Sequence, residues 1–359
     1  MRPLRTLFAI SIALLTLFVA APAWACGGLV APNGSVQLVK TTTLAAYHRG
    51  IEHYVTSFEF AGGGGEFGSI VPLPGVPTQV IRGGDWTLQR LVLETQPPQP
   101  TALRFAAEDA AGAARVILET EIDALDVVVL EGGATAVGTW AREHGFLLPP
   151  DAPEVLDFYA RRSPIFMTVR YDADRAADEG LALGDGTPVH VVIPTTNPWV
   201  PLRILGLGAP AEAPIEADVY LLTDEEPTML PAPVAPSLAA RLTDGARPGL
   251  VLERSEPASR TLLTDLRSDK GMKWMPGSGM WLSYLRVDSR AGDLGYDLAI
   301  DASGAGQPSP VAAGLEPAAF SGSSAVDRVG PAVWSAVAVL VTIGAIAMVG
   351  RRRARRPAV

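Results

Sequence analysis

The sequence predicts an α+β fold: a β-rich exported domain of antiparallel sheets with a central helical hairpin, followed by one C-terminal transmembrane helix. Three observations carry this expectation. Along Ile51 to Phe60, Tyr54, Thr56, Phe58 and Phe60 share one face while His53, Ser57 and Glu59 share the other, the period of two of a half-buried strand. Two helical patterns within 133–163, one ending at Glu143 and one running from Ala152 to Arg162, are separated by the breakers between Gly145 and Pro150. Both ends of the chain carry uncharged apolar runs.

The hairpin comes first in the exported part. Val36 to Tyr47 and Ile51 to Phe60 are both extended in pattern, and "HRG" between them is short enough to join neighbouring antiparallel strands. After Gly62 to Gly65, "FGSIVPLPG" reads as a third strand ended by Pro72 and Pro74. Asp85 is expected to cap a helix through Glu94. The β-branched run "ALDVVVLE" at 124–131 is a strand leading into the helical hairpin. Strands then return at 165–172, 188–195 and 215–224, followed by a Pro-rich loop from Pro227 to Pro248. Ser255 is expected to cap a helix containing Leu262, Leu263 and Leu266, before last strands in "MWLSYLRVD" and "YDLAID". "VIPTTNPWVPLRI" echoes "IVPLPGVPTQV", which is read either as a duplicated sheet unit or as coincidence in a chain with 31 prolines.

The N-terminus has the three parts of a secretory signal: Arg2 and Arg5, the apolar run Leu7 to Ala20, and the small-x-small triplet Ala23, Trp24, Ala25. Residues 1–25 are therefore expected to be removed, leaving Cys26 as the first mature residue. Ala23 and Trp24 fit signal peptidase better than a lipobox, so an unmodified Cys26 is expected and lipidation is the alternative. One cysteine makes no internal disulfide.

At the other end, residues 331–350 carry no charge, and about 20 residues at about 1.5 Å each span a bilayer core. Arg351, Arg352, Arg353, Arg355 and Arg356 follow at once in the tail 351–359, placing the C-terminus in the cytoplasm and residues 26–301 outside. Residues 302–330, rich in Ala, Gly, Ser and Pro, are expected to form a flexible stalk. Removal of the helix after export is the alternative to a retained anchor.

Charge narrows the partners. The formal net charge is −9, and both ends are purely basic, so the part between them is far more acidic. Such a surface repels nucleic acid and anionic headgroups, which leaves the membrane, through the C-terminal helix, and an unidentified envelope ligand or protein as expected partners. The hairpin 133–163 is accordingly read as packed helices and not as a DNA-binding helix-turn-helix.

Motifs for chemistry are sparse. Gly63, Gly65 and Gly68 satisfy G-x-G-x-x-G, but the prolines that follow deny the helix a dinucleotide site needs, and no cofactor is expected. "PGSGM" around Ser278 lacks the first glycine of a nucleophile elbow. His48, His53, His144 and His190 show no metal-ligand spacing; His48 and His53 flank the hairpin turn, where a shared metal competes with the simpler reading of a polar sheet face. Trp199, Trp274 and Trp281 are candidate ligand contacts, with burial in the core as the competing reading. No catalytic, cofactor or metal residue is assigned.

The runs "EHYVTSFEF", "FGSIVPLPGVP" and "GGDWTLQRL", with "WAREHGFLLP", "VHVVIPTTNPWVPLRIL" and "MWLSYLRVD", resemble a bacterial family of exported proteins catalogued as domain of unknown function 2330. The resemblance covers most of residues 26–301. It implies an envelope location and assigns no catalytic residues. Two functions are thus expected: a tethered noncatalytic binding module, or alternatively an extracytoplasmic hydrolase acting on peptide or glycan.

Overall fold

The computed structural model of the protein describes residues 29–30, 36–62, 67–96, 115–172, 175, 187–242 and 246–315. The expected signal, Cys26, the apolar segment 331–350 and the arginine tail lie outside these residues. No helix among the described residues is long and apolar enough to cross a membrane.

In chain order the strands are β1 (Leu29–Val30), β2 (Val36–His48), β3 (Ile51–Gly62), β4 (Phe67–Pro72), β5 (Gln79–Arg82), β6 (Arg115–Ile122), β7 (Leu125–Glu131), β8 (Ile165–Tyr171), β9 (Val189–Pro194), β10 (Trp199–Val200), β11 (Pro214–Thr223), β12 (Thr228–Leu230), β13 (Gly249–Pro257), β14 (Trp281–Arg290) and β15 (Leu298–Asp301). The helices are α1 (Thr87–Thr95), α2 (Ala134–Glu143), α3 (Ala152–Ala160), the short α4 (Pro236–Ala239) and α5 (Arg260–Ser268). A seven-stranded sheet runs β13-β14-β11-β2-β3-β9-β5, a five-stranded sheet β1-β4-β8-β7-β6, and a three-stranded sheet β10-β15-β12. Every strand pairing is antiparallel except β11 with β2. The class is α+β, as the patterning predicts, with α2 and α3 inserted as a helical hairpin between β7 and β8.

Side-chain alternation explains why the sheets stack. From β7, Val127 and Val129 enter a core shared with Val189, Val191 and Ile193 of β9, while Val128 and Leu130 face a second core with Val137, Trp140, Leu156 and Tyr159 of the helical hairpin. A strand covered on both faces reads as a continuous apolar run, which "VVVL" is. The outer face of the seven-stranded sheet meets a third core, where Leu44, Val55, Tyr220 and Leu222 pack under Leu88 and Leu91 of α1 and Leu262, Leu263 and Leu266 of α5. The result is helix, sheet, sheet, helix, with burial supplying the stability that no disulfide can.

The β2–β3 hairpin turns through Arg49 at φ 50° and Gly50 at φ 82°, two left-handed residues matched to the twist of the strands. Asp224 pins the turn, its carboxylate 2.6 Å from His48 Nδ1 and accepting the Arg49 amide at 3.3 Å. Gly68 lies inside β4, not at a helix start. A Cβ there would meet the Phe146 ring at 2.8 Å and the Val169 carbonyl at 2.9 Å, so this glycine serves close packing and not a dinucleotide. The two echoing Pro-rich stretches end strands of different sheets, yet Pro74 and Pro194 come together on one cavity wall.

Both expected caps belong to other residues. Ser259 caps α5 by accepting the Leu262 amide at 3.0 Å, whereas Ser255 sits in β13 and receives Trp281 Nε1 at 2.9 Å. Asp85 does not cap α1; a carboxylate from far along the chain does so, as described below. The Pro-rich loop holds β12 and α4.

The packed fold continues past residue 301, through the first part of the segment expected as a stalk. Ala302, Ala312 and Ala313 are buried, and the Arg162 guanidinium donates to the Ala312 carbonyl at 2.6 Å. Asp297 organises this corner. Its carboxylate, fully buried, accepts from Tyr159 Oη at 2.8 Å, the Leu202 amide at 2.7 Å, the Arg203 amide at 3.0 Å and the Arg162 guanidinium. Burial pushes this carboxyl up and Arg162 pulls it back.

Candidate functional site

At the β5 edge of the seven-stranded sheet, the strand register sets two rows of side chains on the outer face. His53, Val192 and Gln79 form one row; Val55, His190 and Ile81 form the next. In β9, Val189, Val191 and Ile193 point into the core, so His190 and Val192 must point out. Beside these rows stand the Asp85–Trp86 turn and the loop from Ser268 to Trp274. Together they enclose a cleft of about 810 Å³.

His53 and His190 meet at the floor, Nδ1 of one 3.0 Å from Nε2 of the other, a hydrogen bond that requires one ring nitrogen to carry the proton and its partner to accept it. Trp274 lies flat on His53, with ring centroids 3.5 Å apart and planes within 2°. Burial holds His53 down to about 3, helped by its neighbours His190 and His48, and holds His190 down to about 4. Both rings are therefore neutral at pH 7. His190 Nδ1 and Trp274 Nε1 are buried and find no hydrogen-bond partner among the described residues.

The walls are fixed by one acid. Asp269 accepts the Asp85 amide at 3.0 Å, the Trp86 amide at 3.0 Å, Thr87 Oγ1 at 2.7 Å and the Lys270 amide at 2.8 Å. This carboxylate caps α1 from 182 residues away and ties the turn to the loop. Burial works to raise it, but the Thr87 hydroxyl and the three amides hold it below its usual range. Asp85 pairs instead with Arg82, which also donates to Asp123 at 2.6 Å. The loop is anchored beneath by buried Met272 and Met275, and turns at Gly271 in the left-handed region at φ 78°.

The geometry brings His53 to His190 and leaves His48 on Asp224, so the hairpin histidines do not form a shared pair. No group of three or more metal-ligating side chains occurs among the described residues. Ser268 is the one hydroxyl side chain lining the cleft, and it donates to the Asp265 carbonyl at 2.7 Å. Of the three tryptophans singled out, Trp274 lines this cleft. Trp199 is buried, stacks on Tyr159 and borders a separate cavity of about 600 Å³ with Asn197 and Thr195. Trp281 is half-buried at the start of β14. Sequence reasoning missed His190 as a partner, Asp269 as the cap and the lysine loop; the alternation in "VHVVIP" is the signal that could have found the first.

Fold and cleft define a layered α+β domain with a single neutral histidine pair at a sheet edge. The chain belongs to the bacterial family described as "Uncharacterized protein conserved in bacteria (DUF2330)", whose pattern matches residues 20–229. A comparison with curated proteins finds no match. Among solved structures, similarity reaches baculovirus P35 in the caspase-8/P35 complex, with a TM-score of 0.36 at 7% identity over 73% of this chain and 96% of that one. It also reaches a mutated baculovirus P35 after caspase cleavage, with a TM-score of 0.32 at 8% identity over 51% of this chain and 65% of that one. P35 alone gives 0.29 at 9% identity over 52% and 64%. The chain thus spans just under two thirds of P35 in two of these three comparisons, and likeness at this level carries no functional information.

Proposed function

We propose that the protein is a membrane-tethered, noncatalytic envelope module that binds its ligand in the His53–His190 cleft. The observation that carries the reading is the cleft itself: about 810 Å³, walled by Trp86 and Trp274, with polar side chains converging on it and a wall locked by Asp269. Pockets of this size that combine aromatic walls with a few placed polar groups are ordinary ligand sites. Among the described residues the one hydroxyl lining the cleft, Ser268, is bonded to the Asp265 carbonyl and not to the imidazole pair, which favours binding over hydrolysis. The signal-like N-terminus and the arginine-flanked apolar segment support export with a retained anchor, and the acidic middle of the chain argues against nucleic acid.

Photocrosslinking in growing cells tests the reading. A benzophenone side chain at Gln79, exposed on the cleft wall, is expected to form adducts with envelope material, and one at Leu147, 64% exposed on the loop between α2 and α3, is expected to form none. Equal adducts from both positions, or none from Gln79, would overturn the cleft as the binding site.

A further inference from the structure

We infer that the cleft is built for an acidic carbohydrate, its carboxylates met by Lys270 and Lys273 and its ring faces by Trp86 and Trp274; this rests on the reading of the cleft as a ligand site.

The cations come first. The chain has three lysines against 26 arginines, and two of the three stand on this one loop. Both line the cleft and are exposed, and neither has an ion-pair partner among the described residues. The carboxylates nearby are already engaged: Asp269 by three amides and a hydroxyl, Asp85 by Arg82. Unspent charge on the cleft wall is therefore positive, in an otherwise acidic protein. Met272 and Met275, inserted into the core between and beyond the lysines, hold the loop so that Lys270 and Lys273 are presented from a fixed backbone.

The rest of the wall selects among anions. A phosphate is held best by several unengaged amides converging on one point, and two of the amides beside the cleft, those of Asp85 and Trp86, already bond Asp269. An extended acidic peptide would add to the β5 edge, but that strand is only four residues long and its last residue, Arg82, is tied to Asp123 of the β6–β7 turn. A sugar ring needs neither. It offers a flat C–H face to an indole, hydroxyls to the Gln79 amide, and, when it is a uronic acid, a carboxylate to an ammonium. At about 810 Å³ the cleft has room for more than one such ring.

The test is calorimetric titration of the full chain, purified in detergent, with trigalacturonate and with its methyl ester, which keeps every ring and removes the charge. The acid is expected to bind in the micromolar to millimolar range, the ester at least about tenfold more weakly, and the difference to shrink at high salt. The double variant Lys270→Gln, Lys273→Gln is expected to reduce the affinity for the acid to that for the ester with an unchanged unfolding midpoint, and Lys270→Arg, Lys273→Arg to restore it. An ester that binds as tightly as the acid would overturn the acidic class while leaving the cleft as a carbohydrate site. Absence of binding by either ligand up to about 10 mM would overturn the carbohydrate assignment, and the Gln79 crosslinks then decide separately whether the cleft is a site at all.

Discussion

Replacing Asp297 with alanine is expected to lower the free energy of unfolding by about 3–5 kcal/mol, a loss read as a large fall in the denaturant midpoint. The reason is what the variant leaves behind. The Arg162 side chain is 5% exposed, its guanidinium 4.1 Å from the Phe158 ring centroid and 5.0 Å from that of Trp199, and it would keep its charge without a counter-ion. The Tyr159 hydroxyl and the amides of Leu202 and Arg203 would lose their acceptor in the same step. Those groups join α3, the segment before β15 and the turn after β10, so the damage spans three elements. Asp297→Asn keeps acceptors for part of this set and should fall between wild type and alanine. A change below about 1 kcal/mol for Asp297→Ala would mean that the corner is not the tie described.

A second large effect comes from Glu52. It lies on the inner face of β3 opposite Tyr47 and Ile193, is wholly buried, and among the described residues neither carboxylate oxygen meets a donor in good hydrogen-bond geometry. Burial pushes its carboxyl up to about 8, with the nearby Trp199 amide working in the other direction. The folded protein therefore holds this proton where the unfolded chain releases it. The stabilising contribution is complete below about pH 4.5 and is lost progressively as the pH rises through 8. The total is on the order of 5 kcal/mol. The histidine pair works in the opposite direction: its depressed values mean that stability falls as the pH drops below about 6.5 toward 4 and 3. Thermal unfolding from pH 5 to 9 should show Glu52→Gln more stable than wild type at pH 8, with the decline between about pH 5 and 8 gone. Parallel pH profiles for the two proteins would refute the assignment.

Much of this fold could be read from local pattern, because local pattern is what burial imposes. The alternation in β3 and the unbroken "VVVL" of β7 report one covered face and two covered faces respectively, and the hairpin at Arg49–Gly50 follows from length alone. What escaped was set by distance in the chain. Asp85 is a reasonable cap by position, yet Asp269 fills that role because α5 delivers it to the start of α1. Ser255 and Ser259 are equally good caps on paper; pairing of β13 with β14 claims the first. His53 finds His190, 137 residues away, because β9 inserts between β3 and β5, and no spacing rule anticipates that insertion. Residues 302–315 are poor in large apolar side chains and read as linker, but small alanines are what fits against Arg162 and the helical hairpin.

The central claim is that this domain stands outside the cell on a membrane tether, and protease shaving of spheroplasts tests it most directly. Added protease is expected to release or degrade the domain in intact spheroplasts and to leave a short C-terminal fragment with the membrane. A chain that is fully protected until the membrane is permeabilised, and cleaved readily afterwards, would contradict it.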